Sequence, residues 1–244
     1  MVPIKYGHQQ FGTNYNVNIS VYHDDGSVAV SHGGIEMGQG INTKVAQIVA
    51  KELGVPLDII RVKPTNNVSN PNAFFTAGSM GSEGNCAAAI RACADLKAKM
   101  NVVKEMEEND LPWADLVKKC YTKGVDLTGH HMGHSINDGI GSYIIWGLAL
   151  TEVQLDVLTG MSNIRRCDFL EETGLATSPL VDLGQVEGAL VMGMGLWTSE
   201  EVRYDPGTGQ LLDNSTWHYK VHSPACLPLP ATARCPHLVT SPRT

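Results

Sequence analysis

The 244-residue sequence predicts an α+β fold of mixed sheets with packed helices, arranged in two lobes. Three observations predict it. Several segments alternate apolar and polar residues with the period of two that a half-buried strand requires. Others place apolar residues three and four apart, as one face of a helix does. The two kinds follow each other irregularly, which argues against a repeating strand–helix array, and no internal repeat or heptad pattern is present.

The first strands are read in "NVNISVYHDDGSVAVSH". Val17, Ile19 and Val21, then Val28 and Val30, flank Asp25-Gly26. Asp-Gly supplies the positive φ of a tight hairpin turn. The glycine-rich stretch 33–40 follows. In "INTKVAQIVAKELG", Val45, Ile48, Val49 and Leu53 fall at helical spacing, with Asn42 or Thr43 as cap and Gly54 as stop. "DIIRVKP" at 58–64 reads as a strand. Residues 65–82 have no clear period, and a long irregular segment inside a compact domain is functional or disordered. "EGNCAAAIRACADLKAKM" reads as a helix with Cys86, Ile90, Cys93, Leu96 and Met100 on one face. "PWADLVKKCYTKG" is a shorter helix stopped by Gly124. Residues 124–142, rich in Gly and His, read as a loop where the lobes meet. "YIIWGLALTEVQLDVLTG" and "SNIRRCDFLEETG" read as long strands joined at Thr159-Gly160. "DLGQVEGALVMGMGLWTSEE" reads as a helix capped by Asp182, with Val186, Leu190, Met194 and Trp197 inward. Each glycine in its interior costs about 1 kcal/mol relative to alanine, so a close neighbour is expected.

Apolar residues make up 43% and charged residues 18%, a globular composition. The formal net charge of -7, without a Lys/Arg run, argues against a nucleic-acid surface. The start carries no signal-peptide core, and the apolar run 143–150 is too short to span a bilayer. The six cysteines include no C-x-x-C pair, so thiolate metal knuckles and redox dithiols lack support, and a reduced cytoplasmic setting fits.

Three polar, glycine-bearing segments stand out: "GGIEMGQG", "TAGSMGSEGN" and "DLGQVEGA". Each carries Gln or Ser near a predicted helix start, where unpaired N–H groups favour anions. Glycine lets a ligand approach the main chain, and a glutamine amide both donates and accepts, which suits a flat heterocycle carrying a phosphate. Taken singly, each reads better as a tight turn with a helix cap, because Gly, Ser and Gln near helix ends are common. None is a Walker loop or a dinucleotide fingerprint. Glu36 and Glu187 are candidate general bases if desolvated, or else structural caps. His130, His131 and His134 read as a solvated loop rather than a metal site, because Gly129 and Gly133 oppose a helix.

Together the segments resemble the molybdopterin-binding part of the xanthine dehydrogenase and aldehyde oxidase family. The likeness is carried by "SVAVSHGGIEMGQGINTKVAQIVAKELGVPLDIIRV", "TEVQLDVLTG", "SPLVDLGQVEGALVMGMGLWTSEE" and "TWHYKV", in the family's order, and runs to Val221. It implies that residues 1–125 and 126–221 are the first and second parts of the molybdopterin-binding domain, with 222–244 a disordered tail outside the family. It implies a molybdenum–molybdopterin cofactor held by Gln39, by the loop Gly78, Ser79, Met80 and Gly81, and by Gln185. The family commonly has a small hydroxyl residue where Gly81 stands. FAD and 2Fe-2S groups belong to other parts of the full-length family, as does a homodimer. The implied chemistry is hydroxylation of an aldehyde or N-heterocycle carbon, with oxygen from water and a glutamate taking the proton. "FFTAGSMGSEGN" resembles aldehyde oxidases more than the "ADLNG" style of the dehydrogenases. The alternatives are a xanthine dehydrogenase fragment and a truncated, non-catalytic product. The tail carries five prolines and no acidic residue where the glutamate segment is expected, and reads as an out-of-frame or alternatively spliced end. The 244 residues alone are therefore expected to be inactive.

Overall fold

The computed structural model describes residues 2–6, 13–106, 111–134, 143–221 and 237–238. The chain divides into two compact units, Lys5–Tyr143 and Met1–Ile4 with Ile144–Thr244.

The unit Lys5–Tyr143 is built on a four-stranded sheet in the order β4-β3-β2-β5. Strands β2 (Asn14–Val21) and β3 (Val28–His32) form the hairpin expected around Asp25-Gly26, with Ile19 opposite Val30. Gly26 has φ +74, and the Asp25 carboxylate accepts the Ser27 N–H at 2.8 Å. Helix α1 (Ile41–Leu53) then crosses over to β4 (Ile60–Val62), which runs parallel to β3. A parallel neighbour cannot be reached by a tight turn, and the helix supplies the connection. Helix α2 (Gly81–Lys104) packs against α1, β2 and β5, and α3 (Trp113–Thr122) packs against α2.

Residues 128–134, expected in a loop, form a strand, β5 (Thr128–His134), antiparallel to β2 with Gly129 opposite Ile19 and His131 opposite Val17. Glycine and histidine hide its period. At Gly129 a Cβ would be driven into the Ala92 carbonyl oxygen of α2, so only glycine allows the helix this close. Strand alternation also separates the histidines, with His131 on one face and His130 and His134 on the other. Among the described residues no group of three or more metal-ligating side chains exists.

The two faces of this sheet differ in kind. Tyr15, Val17, Ile19, Val21, Val28 and Val30 point to the helices and are buried with Val45, Val49, Ala88, Ala89, Ala92, Cys93, Leu96 and Met100. Burying one such valine or leucine fully is worth about 1.5–3 kcal/mol. The inward face of α2 includes Cys93, Leu96 and Met100 as expected, joined by Ala88, Ala89 and Ala92, while Ile90, expected inward, is exposed. The opposite face bears Asn14, Asn16, Asn18 and Ser31.

The other unit holds a sheet in the order β1-β6-β7-β8, formed by β1 (Val2–Tyr6), β6 (Tyr143–Leu155), β7 (Ser162–Glu172) and β8 (His237–Leu238). The long hairpin β6–β7 turns at Thr159-Gly160 as expected, with Gly160 at φ +76. Helix α4 (Pro179–Thr198) follows Ser178 and carries Pro179 in its first turn. Asp182 lies in that first turn rather than at the cap. Met194 is buried, Val186 and Leu190 are half-buried, and Trp197, expected inward, is 86% exposed. Residues 222–236 and 239–244 of the expected tail lie outside the described residues. No helix among the described residues is long and apolar enough to cross a membrane.

Candidate functional site

The glycine-rich loop 33–40 joins β3 to α1, and its own side chains fold it. The Glu36 carboxylate accepts the N–H groups of Gly38 at 2.9 Å, Gly40 at 3.0 Å and Asn42 at 3.1 Å. It therefore fills the positive end of α1, which has no capping bond from its own cap residue, Gly40. Neither Asn42 nor Thr43 is the cap. Partial burial pushes the Glu36 carboxyl up, but the three N–H bonds and nearby His32 outweigh it and hold it below the ordinary carboxylate range. Glu36 therefore acts as a cap for the loop and the start of α1.

Gln39 closes the loop on itself. Its Oε1 accepts the Met37 N–H at 2.6 Å, and its Nε2 donates to the Ile35 carbonyl at 2.7 Å. A primary amide has two N–H groups and two oxygen lone pairs, so one of each stays available to a ligand. His32 lies beneath, fully buried. Its Nδ1 accepts the Gly34 N–H at 3.2 Å, and its Nε2 lies 2.8 Å from Asn42 Oδ1. Those partners fix a neutral ring with the proton on Nε2, and burial lowers its pKa.

The segment 76–81 runs beside this loop. Thr76 Oγ1 accepts the Ile35 N–H at 2.8 Å, and Thr65 Oγ1 donates to the carbonyls of His32 and Gly34. Gly78 and Ser79 are consecutive left-handed residues, at φ +63 and +57. Non-glycine residues visit that region rarely. The bend leads into α2, whose cap residue Met80 makes no side-chain capping bond, so the first N–H groups of that helix have no cap. Met80 is buried and anchors the bend, and Gly81 begins α2. Gly34 is required for closeness, since a Cβ there would press on Ile41 and Asn85. A cleft of about 330 Å³ opens between Ile35, Glu36 and Asn42 on one side and Val62, Lys63, Pro64 and Thr65 on the other.

Gln39 and the Gly78–Gly81 bend thus belong to one unit and are linked through Ile35 and Thr76. Gln185 lies on α4 in the other unit and is exposed, as is Glu187. Sequence reasoning did not find Thr76, Thr65, His32 or the asparagine face. The only signal for the last was the run Asn14-x-Asn16-x-Asn18 at strand period.

The sheet backed by helices carries a self-capped glycine-rich loop beside a left-handed bend. The family described as "molybdopterin cofactor-binding domain" matches residues 1–228, and the chain belongs to that family. Aldehyde oxidase 4 from Cavia porcellus is 36% identical over 239 residues, covering 91% of this chain and 17% of its own length. Indole-3-acetaldehyde oxidase from Arabidopsis thaliana is 35% identical over 235 residues, covering 93% of this chain and 17% of its own. Among solved structures, CO dehydrogenase from Oligotropha carboxidovorans shares the fold at TM-score 0.76 and 24% identity, over 88% of this chain and 29% of that one. The chain spans about one sixth of the length of those curated relatives.

Proposed function

We propose that this chain is the cofactor-binding portion of an aldehyde oxidase-like molybdenum hydroxylase, with Gln39 and the Gly78-Ser79-Met80-Gly81 bend as the cofactor contacts of the unit Lys5–Tyr143. The observation that carries it is the consecutive left-handed pair Gly78-Ser79 at the start of α2, tied by Thr76 to the loop that holds Gln39. The residues fit such a group. The uncapped start of α2, just beyond the bend, offers main-chain donors to an anion, and Gln39 keeps one donor and one acceptor for a heterocycle edge. The start of α1 already carries a negative charge, because Glu36 accepts the N–H of its cap residue Gly40 and of Asn42 in its first turn.

When bound, the cofactor supplies the redox centre for adding oxygen from water to a carbon. The protein supplies position. In the whole protein the reading extends to a small aldehyde or N-heterocycle as substrate, to a homodimer and to a cytoplasmic setting. For the 244 residues alone it extends to no turnover, because no Asp or Glu follows Asp213 to act as the base.

The test is cofactor loading. The chain is produced in a host that makes molybdopterin, and bound molybdenum and pterin fluorescence are measured after purification. Near-stoichiometric pterin in the unaltered chain, reduced about tenfold in Ser79→Pro, is expected because proline cannot hold φ +57 and lacks the N–H. Equal, trace amounts in both would overturn the reading.

A further inference from the structure

The segment between β4 and α2 has no ladder of its own, yet it must hold the Ser79 bend in place. Its anchors are side chains on the polar face of the sheet. Asn16 donates through Nδ2 to the Pro71 carbonyl at 3.3 Å, and Asn18 donates to the Ser69 carbonyl. Asn70 sits at the centre, 3% exposed. Its Nδ2 donates to the Asn16 carbonyl at 3.3 Å, while its Oδ1 accepts the hydroxyls of Ser31 and Ser69. Further along, the Phe74 N–H donates to the Asn14 carbonyl at 2.9 Å, and the Ile35 N–H reaches Thr76. None of these polar residues belongs to the apolar cluster, which lies across the sheet.

We infer that Asn70, clamped by Asn16 and Ser31, is a positioning residue that sets the Ser79 bend at its distance from the Gln39 loop. The inference rests on the reading that this bend holds the cofactor. Its logic is separation of roles. A buried amide bonded on both ends fixes a geometry, because removing it leaves the Ser31 hydroxyl without its acceptor and the Asn16 carbonyl with only the Gly33 N–H. The core on the far face is untouched by that loss, so position fails before the fold does. A residue that merely added stability would weaken binding and folding together.

The test compares Asn70→Ala with Val117→Ala, which opens the core under α3 far from the bend. Two quantities are read in the complete chain: cofactor retained per chain after gel filtration, and amide hydrogen exchange of Ile35 and Phe74 without cofactor. Asn70→Ala is expected to lower retention about tenfold and to speed exchange at those two amides about tenfold, the scale of one lost buried hydrogen bond. Its denaturation midpoint should fall less than that of Val117→Ala, which should retain cofactor like the unaltered chain. Asn70→Asp, which keeps the acceptor for both serines, should recover part of the exchange protection. Unchanged exchange at Ile35 and Phe74 in Asn70→Ala, or retention that simply tracks the midpoint across both variants, overturns the inference. If the unaltered chain retains cofactor, Ser79→Pro does not and Asn70→Ala does, the positioning role alone falls. If the unaltered chain retains none, the reading of the bend falls, and the positioning role toward the cofactor falls with it.

Discussion

At residue 32 the chain places a fully buried, neutral imidazole directly under the glycine-rich loop, bonded to the Gly34 N–H and to Asn42. Burial lowers its pKa from the ordinary 6.5, so the unfolded chain binds a proton there more readily than the folded one. Stability therefore rises with proton release: the contribution is present above about pH 6.5 and is lost as pH falls below it. Protonation would also put an N–H on Nδ1, facing the Gly34 N–H that it now accepts. The urea midpoint is expected to drop between pH 7.5 and 5.5 in the unaltered chain, and His32→Gln should lose most of that slope. A slope unchanged in His32→Gln would assign the acid sensitivity elsewhere. Glu36 behaves oppositely in range: its depressed carboxyl contributes above the ordinary carboxylate pKa, and its contribution is lost only in stronger acid. The same residue shows what sequence could and could not tell. "GGIEMGQG" announced a loop shaped for a purpose. That Glu36, rather than a ligand, would take the N–H groups of α1 depends on a carboxylate folding back over four and six residues, which no spacing rule specifies.

Among the elements, those with an undiluted period were legible: the β2–β3 hairpin, α1, α2, α3, and the β6–β7 hairpin. β5 was not, since its alternation is written in glycine and histidine, and neither carries a clear hydrophobic signal. Its place is set by long-range packing of Gly129 on the Ala92 turn of α2, a contact between residues 37 apart in sequence. Gly129→Ala should thus behave as overpacking rather than as a gain in strand order, lowering stability by about 1–3 kcal/mol. Equilibrium denaturation gives the test: a lower midpoint with an unchanged slope is expected, and a midpoint at or above that of the unaltered chain would show that α2 does not lean on this glycine. α2 and α4 make a related point. In α2, Ala88, Ala89 and Ala92 face the core together with Cys93, Leu96, Met100 and Val103, while Ile90 is exposed. In α4 nothing lies within 4 Å of a Cβ at Gly184, Gly188 or Gly193, so the close neighbour expected for its glycines is not met there, and Trp197 and Met192 stand outward.

Across the molecule, burial is divided unequally between the two units. Every member of the hydrophobic cluster, from Tyr15 to Leu127, lies in Lys5–Tyr143. In the other unit the fully buried apolar side chains among the described residues are Cys167 and Met194, while Trp146, Leu148, Leu150 and Leu170 stand open on one face of the β6–β7 hairpin. Cross-strand alternation puts those four together, with Leu148 directly opposite Leu170. Contiguous open apolar surface of this kind is normally covered by other polypeptide. The curated relatives have it to offer, since this chain corresponds to 17% of their length. Folding should then be carried by Lys5–Tyr143 alone. Expressed by itself, that unit is expected to unfold cooperatively in urea with little binding of a hydrophobic dye. The complete chain should bind the dye strongly through the β6–β7 face, and Leu148→Lys with Leu170→Glu should reduce that binding without moving the cooperative transition. A single transition lost when residues 144–221 are removed would mean that the two units depend on each other for stability, contrary to where the buried side chains lie.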